Sequence, residues 1–292
     1  MSITLKNQHL TAVIREKGAE LCSVTDPAGT EYIWQADPAI WGRHAPLLFP
    51  LIGRLKDDSY TLNGKTWHMS RHGFCRDALF TVTAQSETSV SLRLTDSPET
   101  LAMWPFAFAL TVTFSLQDKS LTKTVQVENR SGERMYYELG CHDGFRAPLE
   151  PGQEMRDYAV VVPGLDTMRP YGMNEELLLT HGDLEFALTR GRIHLPPASY
   201  GLDTVVLDHL PRRQAHLVDG EGRVRVIMDF ADYPYLGIWT TPKPFDTNYV
   251  CIEPWSTLPD ADFVGRDLSE KQGIRILDAD QSESFTTITT FG

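Results

Sequence analysis

The chain has 292 residues, 41% of them hydrophobic and 23% charged, the make-up of an ordinary globular protein with a sizeable core. Its 27 Lys+Arg against 39 Asp+Glu leave a net charge of -12, which argues against nucleic acid or an anionic membrane surface as partner, since both need a basic face. A polyanionic substrate is mildly disfavoured too, although a local arginine cluster can override the average. The first residues lack the basic and apolar regions of a signal peptide, and no apolar run approaches the roughly 20 residues that span a bilayer. Cys22, Cys75, Cys141 and Cys251 are far apart and form no CxxC. The expectation is a cytoplasmic protein with four reduced thiols.

In chain order, the segment Phe-Pro-Leu-Ile-Gly-Arg at 49–54 leads to Asn63-Gly64, which lies between Ser-Tyr-Thr-Leu and Lys-Thr-Trp-His. An Asn-Gly pair between strand-like runs predicts a two-residue hairpin. Such a hairpin can fold Arg54 and His72, the latter in Arg71-His72-Gly73-Phe74, onto the same end of a sheet. Arginine offers several fixed N–H donors to hydroxyl or ring oxygens, and a second imidazole can polarise the same region. Taken alone, Arg54 reads as a surface residue and His72 as a turn residue.

Period-2 alternation then dominates. Val90, Leu92 and Leu94 alternate with polar residues, and from Phe106 to Leu116 every second residue is large and apolar, which puts one face in a core. His142 follows the strand-like Met135-Tyr-Tyr-Glu-Leu-Gly stretch and stands in Leu139-Gly-Cys-His-Asp-Gly-Phe145. A histidine in apolar company is more often a satisfied core residue than a catalytic one. Asn174 to Leu188 is the best helical candidate, but Thr180-His-Gly182 interrupts it and loop plus strand reads equally well. Asp203 and Asp208 flank Val205-Val-Leu207, which suits a strand in either register. Asp219-Gly220 marks a turn before Val224, Val226, Met228 and Phe230, again in alternation.

Trp239 ends the run from Pro234, where its flat face suits either a ligand or the core. Glu253 sits in Cys251-Ile-Glu-Pro-Trp255 after a strand-like run, and a carboxylate in such company is costly unless hydrogen-bonded, paired or functional. Ser284 to Phe291 reads as a closing strand. Prolines 27, 38, 151, 163, 170, 196 and 197 fall between the strand-like runs. With no linker, charge block or repeat, residues 1–292 predict a single all-β domain, a large antiparallel β-sandwich.

His142 and Glu253 each place one titratable group among small, apolar and aromatic residues, as acid–base chemistry on a neutral organic molecule requires. There is no phosphate-binding Gly-rich loop, HExxH or Gly-x-Ser-x-Gly, and the nine histidines show no metal-ligand spacing in sequence. Neither a cofactor nor a metal is expected.

The segments at 49–54, 71–74, 139–145 and 251–255 resemble those of the aldose 1-epimerase (galactose mutarotase-like) superfamily, over nearly the whole length. The resemblance implies that fold, cofactor-free interconversion of sugar anomers, His142 as general acid and Glu253 as general base. It places Arg54, His72, Asp203 and Trp239 around a monosaccharide, with Asp208 as the rival of Asp203. The family's downstream aspartate matches Asp260 or Asp262. Where the family more often has Pro-Tyr-Phe or Pro-Ala-Phe after the histidine, this chain has Asp143-Gly144-Phe145 and keeps only the Phe. Two other readings stay open: a hexose-6-phosphate 1-epimerase, served by Arg43, Lys56, Arg71 and Arg76, and a non-catalytic sugar-binding or sensing protein. Between sugars, the net charge favours a neutral one. Oligomeric state is not legible.

Overall fold

The computed structural model describes residues 1–242 and 247–292. Two antiparallel sheets dominate it. The larger has nine strands, in the order Arg192–His194, Ala159–Val161, Gln214–Val218, Val224–Asp229, Ser282–Phe291, Ser120–Asn129, Phe108–Gln117, Ser89–Thr95 and Thr81–Gln85. The smaller runs Thr204–Leu207, Tyr235–Trp239, Tyr249–Trp255, Gly140–Cys141 and Leu47–Leu48, and Asp143–Arg146 also pairs with Tyr249–Trp255. Among the described residues the one α-helix is Pro98–Met103, opened by a Ser97 cap, and no helix is long and apolar enough to cross a membrane.

The alternating runs do what their period dictates. Phe108, Leu110, Val112 and Phe114 are fully buried, and opposite them Val125 and Val127 fill the same layer. The closing strand Ser282–Phe291 pairs on both sides, with Ser120–Asn129 and with Val224–Asp229, so it is central rather than an edge. Asn63-Gly64 does turn a hairpin, Leu62 facing Lys65, with both turn residues at positive φ (52° and 74°). One main apolar cluster runs from Ile3 to Phe291 and is shared by both sheets.

Two expectations need correction. Asn174 to Leu188 is not helical; Leu179–Thr180 pairs with Gly172–Met173 and Phe186–Ala187 with Thr167–Met168, two small ribbons. Val224 does not continue its strand's buried row: it is exposed while Val226, Met228 and Phe230 are buried. The ladder shifts register between Leu217 and Val218, directly opposite, and the bulge turns Val224 outward.

The smaller sheet is covered on both faces, so its strands carry two alternating sets of residues. Val250 and Ile252, Leu236 and Ile238, Val205 and Leu207, and Cys141 and Leu47 join the main core. The residues between them face the other way. Tyr249, Cys251, Glu253 and Trp255 lie along that opposite face, together with Gly237, Trp239, Thr204, Gly140 and His142. It is the floor of the candidate site.

Candidate active site

Pairing brings the two titratable residues together. Tyr249–Trp255 is flanked on one side by Gly140–Cys141 and Asp143–Arg146, and His142 sits between those two short strands. Its Nε2 lies 3.3 Å from Glu253 Oε1, and both side chains are buried. On the other side Gly237 pairs with Glu253, and lacking a side chain it leaves space for the Trp255 indole. A Cβ on Gly237 would come within 2.6 Å of that ring, and one on Gly140 within 2.8 Å.

The walls are aromatic. Trp41 stacks on the His142 ring at 4.9 Å, and Trp239 and His72 meet it edge-on at 5.5 and 5.7 Å. Around the opening stand Arg54, Arg71, Met173, Leu177, Thr204 and Pro259. His72 has φ 66°, and its Nδ1 accepts a hydrogen bond from the Gly53 N–H at 3.1 Å. Its Nε2 faces the Arg71 Nε–H at 3.1 Å, so both ring nitrogens meet donors. Gly73 follows at φ 69°, where a Cβ would come within 2.3 Å of the Phe49 carbonyl oxygen. Glycine is required there on both counts.

Burial sets the protonation of the pair. It drives His142 down to about 3, helped by the charges of Arg71, Arg76 and Arg43. It raises the Glu253 carboxyl well above the carboxylate range, against the pull of Arg71 and of the Trp255 indole N–H. His72 is held neutral by burial and then by Arg71 and His142. Burial thus favours a neutral imidazole beside a protonated carboxyl, and the pair as a whole holds one transferable proton.

Beneath the floor lies an ion pair that sequence reading missed. His142 and Asp143 are neighbours on opposite faces, so Asp143 points into the core, where both its oxygens accept from Lys123 Nζ at 2.6 and 2.8 Å. Lys123 is the charged member of the buried row Leu121, Lys123, Val125, Val127 and Asn129. Burial lowers its affinity for a proton, but Asp143 and Cys141 outweigh that and leave it raised. A second buried set, Lys271 with Glu138 at 2.5 Å and Asp260 at 2.7 Å, steadies the rim: Glu138 accepts from the Ile52 N–H and Asp260 from the Lys56 N–H. Asp260 is therefore structural in its contacts; Asp262 backs Lys56 through its carbonyl, at 3.5 Å.

The remaining candidates are placed as follows. Arg54 reaches the opening, but its guanidinium is engaged by Asp58 at 3.0 and 3.1 Å. Asp203 precedes Thr204, which pairs with Trp239, but lines a neighbouring hollow with Thr240 and Asn248 rather than the pocket around His142 and Glu253. From there its charge still reaches Glu253 and raises it. Asp208 stands at the far end of the same strand and accepts from the Tyr171 hydroxyl at 2.7 Å, away from the pair. Of the four basic residues around the hairpin, Arg43 is tied to Asp77, Arg76 donates to the Arg71 carbonyl, and Lys56 lies along the rim. Arg71 alone among them lines the pocket.

Sequence reading missed Trp41, Cys251 and Trp255 as parts of the floor and walls. It also missed that His142, Cys251 and Glu253 offer one ligand atom each within 4.8 Å, since residues spread over separate strands show no metal-ligand spacing along the chain.

The aldose 1-epimerase family profile matches residues 1–270. The plasmid-encoded protein LacX of Lactococcus lactis subsp. lactis is 32% identical over 298 residues, 99% of each chain. Among solved structures, the galactose mutarotase related enzyme of Lactobacillus acidophilus superposes with TM-score 0.93 at 33% identity, covering 100% of this chain and 97% of that one. A galactose mutarotase-like protein of Lactobacillus casei gives TM-score 0.91 at 31% identity and full coverage of both. The chain belongs to the aldose 1-epimerase family.

Proposed function

We propose that this chain is a cofactor-independent isomerase, acting as one domain, that interconverts the α and β anomers of a neutral monosaccharide. The supporting observation is the buried His142–Glu253 pair, 3.3 Å apart at the floor of an aromatic pocket. In the ring-opening half, Glu253 takes the proton of the C1 hydroxyl as His142 gives one to the ring oxygen, and the C1–O bond to the ring breaks to leave the aldehyde. That half ends with a protonated carboxyl and a neutral imidazole, the state burial favours. After rotation about C1–C2, His142 takes the proton of the attacking hydroxyl and Glu253 returns one to the carbonyl oxygen. Each half ends in the protonation state from which the other begins, so no cofactor is consumed. The proton moves across 3.3 Å within the pair when a new sugar enters.

In this reading Trp239 offers a flat face to the ring, and Arg54, His72 and Asp203 hold hydroxyl groups. With Arg43 engaged by Asp77, Arg76 by the Arg71 carbonyl and Arg54 by Asp58, Arg71 is, among the described residues, the one cation at the opening without a carboxylate partner, which favours a neutral sugar over a phosphorylated one. Anomer-exchange rates for glucose, galactose and their 6-phosphates test the choice. A much higher kcat/KM on the phosphates, lost in Arg71→Ala, would make it a hexose-6-phosphate 1-epimerase. Sugar binding with no catalysed exchange would make it a sugar-binding or sensing protein.

A further inference from the structure

Cys251 has no part in that proton cycle, yet its thiol shares the pocket floor with both proton carriers. Cys251 and Glu253 are two apart on one strand and project from the same face, and Gly144, opposite Cys251, adds no side chain. One donor atom from each of His142, Cys251 and Glu253 lies within 4.8 Å of the others, and all three residues are buried. Ligands of one tetrahedral zinc ion, at bonds of about 2.0–2.3 Å, stand about 3.3–3.6 Å apart. His142 Nε2 and Glu253 Oε1 already have that spacing at 3.3 Å, so the remaining adjustment falls on the thiol.

We infer that His142, Cys251 and Glu253 form a three-ligand site for a thiophilic divalent cation of the zinc class, and that its occupation excludes acid–base turnover. Imidazole, thiolate and carboxylate are the donor types that select zinc-like ions over calcium or magnesium, which want oxygen alone. The charges close: thiolate and carboxylate neutralise the two positive charges, and the imidazole stays neutral. On binding, the Cys251 thiol releases its proton to solvent, and so does Glu253 when it carries the pair's proton. No redox change occurs. The fourth position faces the opening and takes water. A bound ion holds the lone pair of the imidazole and the carboxylate together, so neither can exchange a proton with a sugar. The exclusion rests on the acid–base reading above; the binding does not.

The test uses the purified full-length protein, stripped with EDTA and titrated with Co²⁺ as a spectroscopic stand-in. A thiolate-to-cobalt charge-transfer band in the near ultraviolet should saturate at one ion per chain. Cys251→Ser and Cys251→Ala should lose the band and bind at least about tenfold more weakly, and Glu253→Gln should weaken binding as well. Cys22→Ser, which removes the partly exposed thiol, should keep the band. Zn²⁺ should halve the wild-type anomerisation rate at a concentration at least tenfold below that needed for Cys251→Ser, each measured against its own rate. Absence of the band in the wild-type protein, or its persistence in Cys251→Ser, overturns the site. A band in a protein that never anomerises a sugar upholds the site and removes the acid–base reading instead.

Discussion

Burial acts on Glu253 and His142 in opposite directions, and thermal stability should record both. Glu253 keeps its proton far above the usual 4.5, so between those values the native state binds more protons than the unfolded chain. Its contribution is fully present below pH 4.5 and is lost as pH rises through the folded value. Glutamine cannot ionise, so Glu253→Gln should gain stability on wild type as pH rises above 4.5, by at most about 1.4 kcal/mol per pH unit, and its melting temperature should gain with it. His142 is lowered from 6.5 to about 3, so its contribution is present above 6.5 and lost as pH falls towards 3. His142→Asn should remove that acid-side slope. Melts from pH 4 to 9 that run parallel for all three proteins would refute both assignments.

Turnover should follow the same two residues. Glu253→Gln and His142→Asn should each lower kcat by about 10²–10⁴-fold with little change in sugar binding. The double variant should lose far less than the product, because both groups serve one proton sequence. These two residues stood out in the sequence as titratable groups inside apolar runs, but their acid and base roles came from the family resemblance rather than from the runs themselves. Trp41, Cys251 and Lys123 did not stand out. Each looks like ordinary core or surface until strands distant along the chain place His142, Glu253 and Asp143 beside it.

At the scale of the strand, one rule explains the site: in the smaller sheet alternate residues face the main core and the rest face the pocket. The period-2 runs of the larger sheet were legible because one face is polar. The smaller sheet is buried on both faces, so its strands read as continuous apolar runs and hide which residues point where. The segment 174–188 was ambiguous for a related reason, since Leu177, Leu178 and Leu179 in succession fit either period. The Asn63-Gly64 hairpin was plain because its turn chemistry is local. Gly237→Ala should push the Trp255 ring off the floor and reduce kcat/KM, with a near-ultraviolet circular dichroism change as the structural readout. The strand Thr204–Leu207 supplies its own control for sugar binding. Asp203→Asn, at the pocket end, should raise KM, whereas Asp208→Asn, at the far end, should not; the reverse result would move the sugar to the other end of the strand.

For the whole molecule, Lys123 and Asp143 join the nine-stranded sheet to the short strand that follows His142. Removing one partner leaves a buried charge alone, so Lys123→Ala should cost about 3–5 kcal/mol in denaturant unfolding. Replacing both with apolar residues of similar volume should recover much of that loss. A Lys123→Ala protein as stable as wild type would show that the pair does not tie the sheets. The central claim, that the buried pair opens and closes a sugar ring, is tested most directly by NMR exchange between the α and β anomers of glucose and galactose. Wild-type protein treated with EDTA should accelerate exchange, and Glu253→Gln at equal concentration should lose at least about a hundredfold of that acceleration while still binding the sugar. Near wild-type exchange by Glu253→Gln on a sugar the wild type turns over would contradict the acid–base assignment.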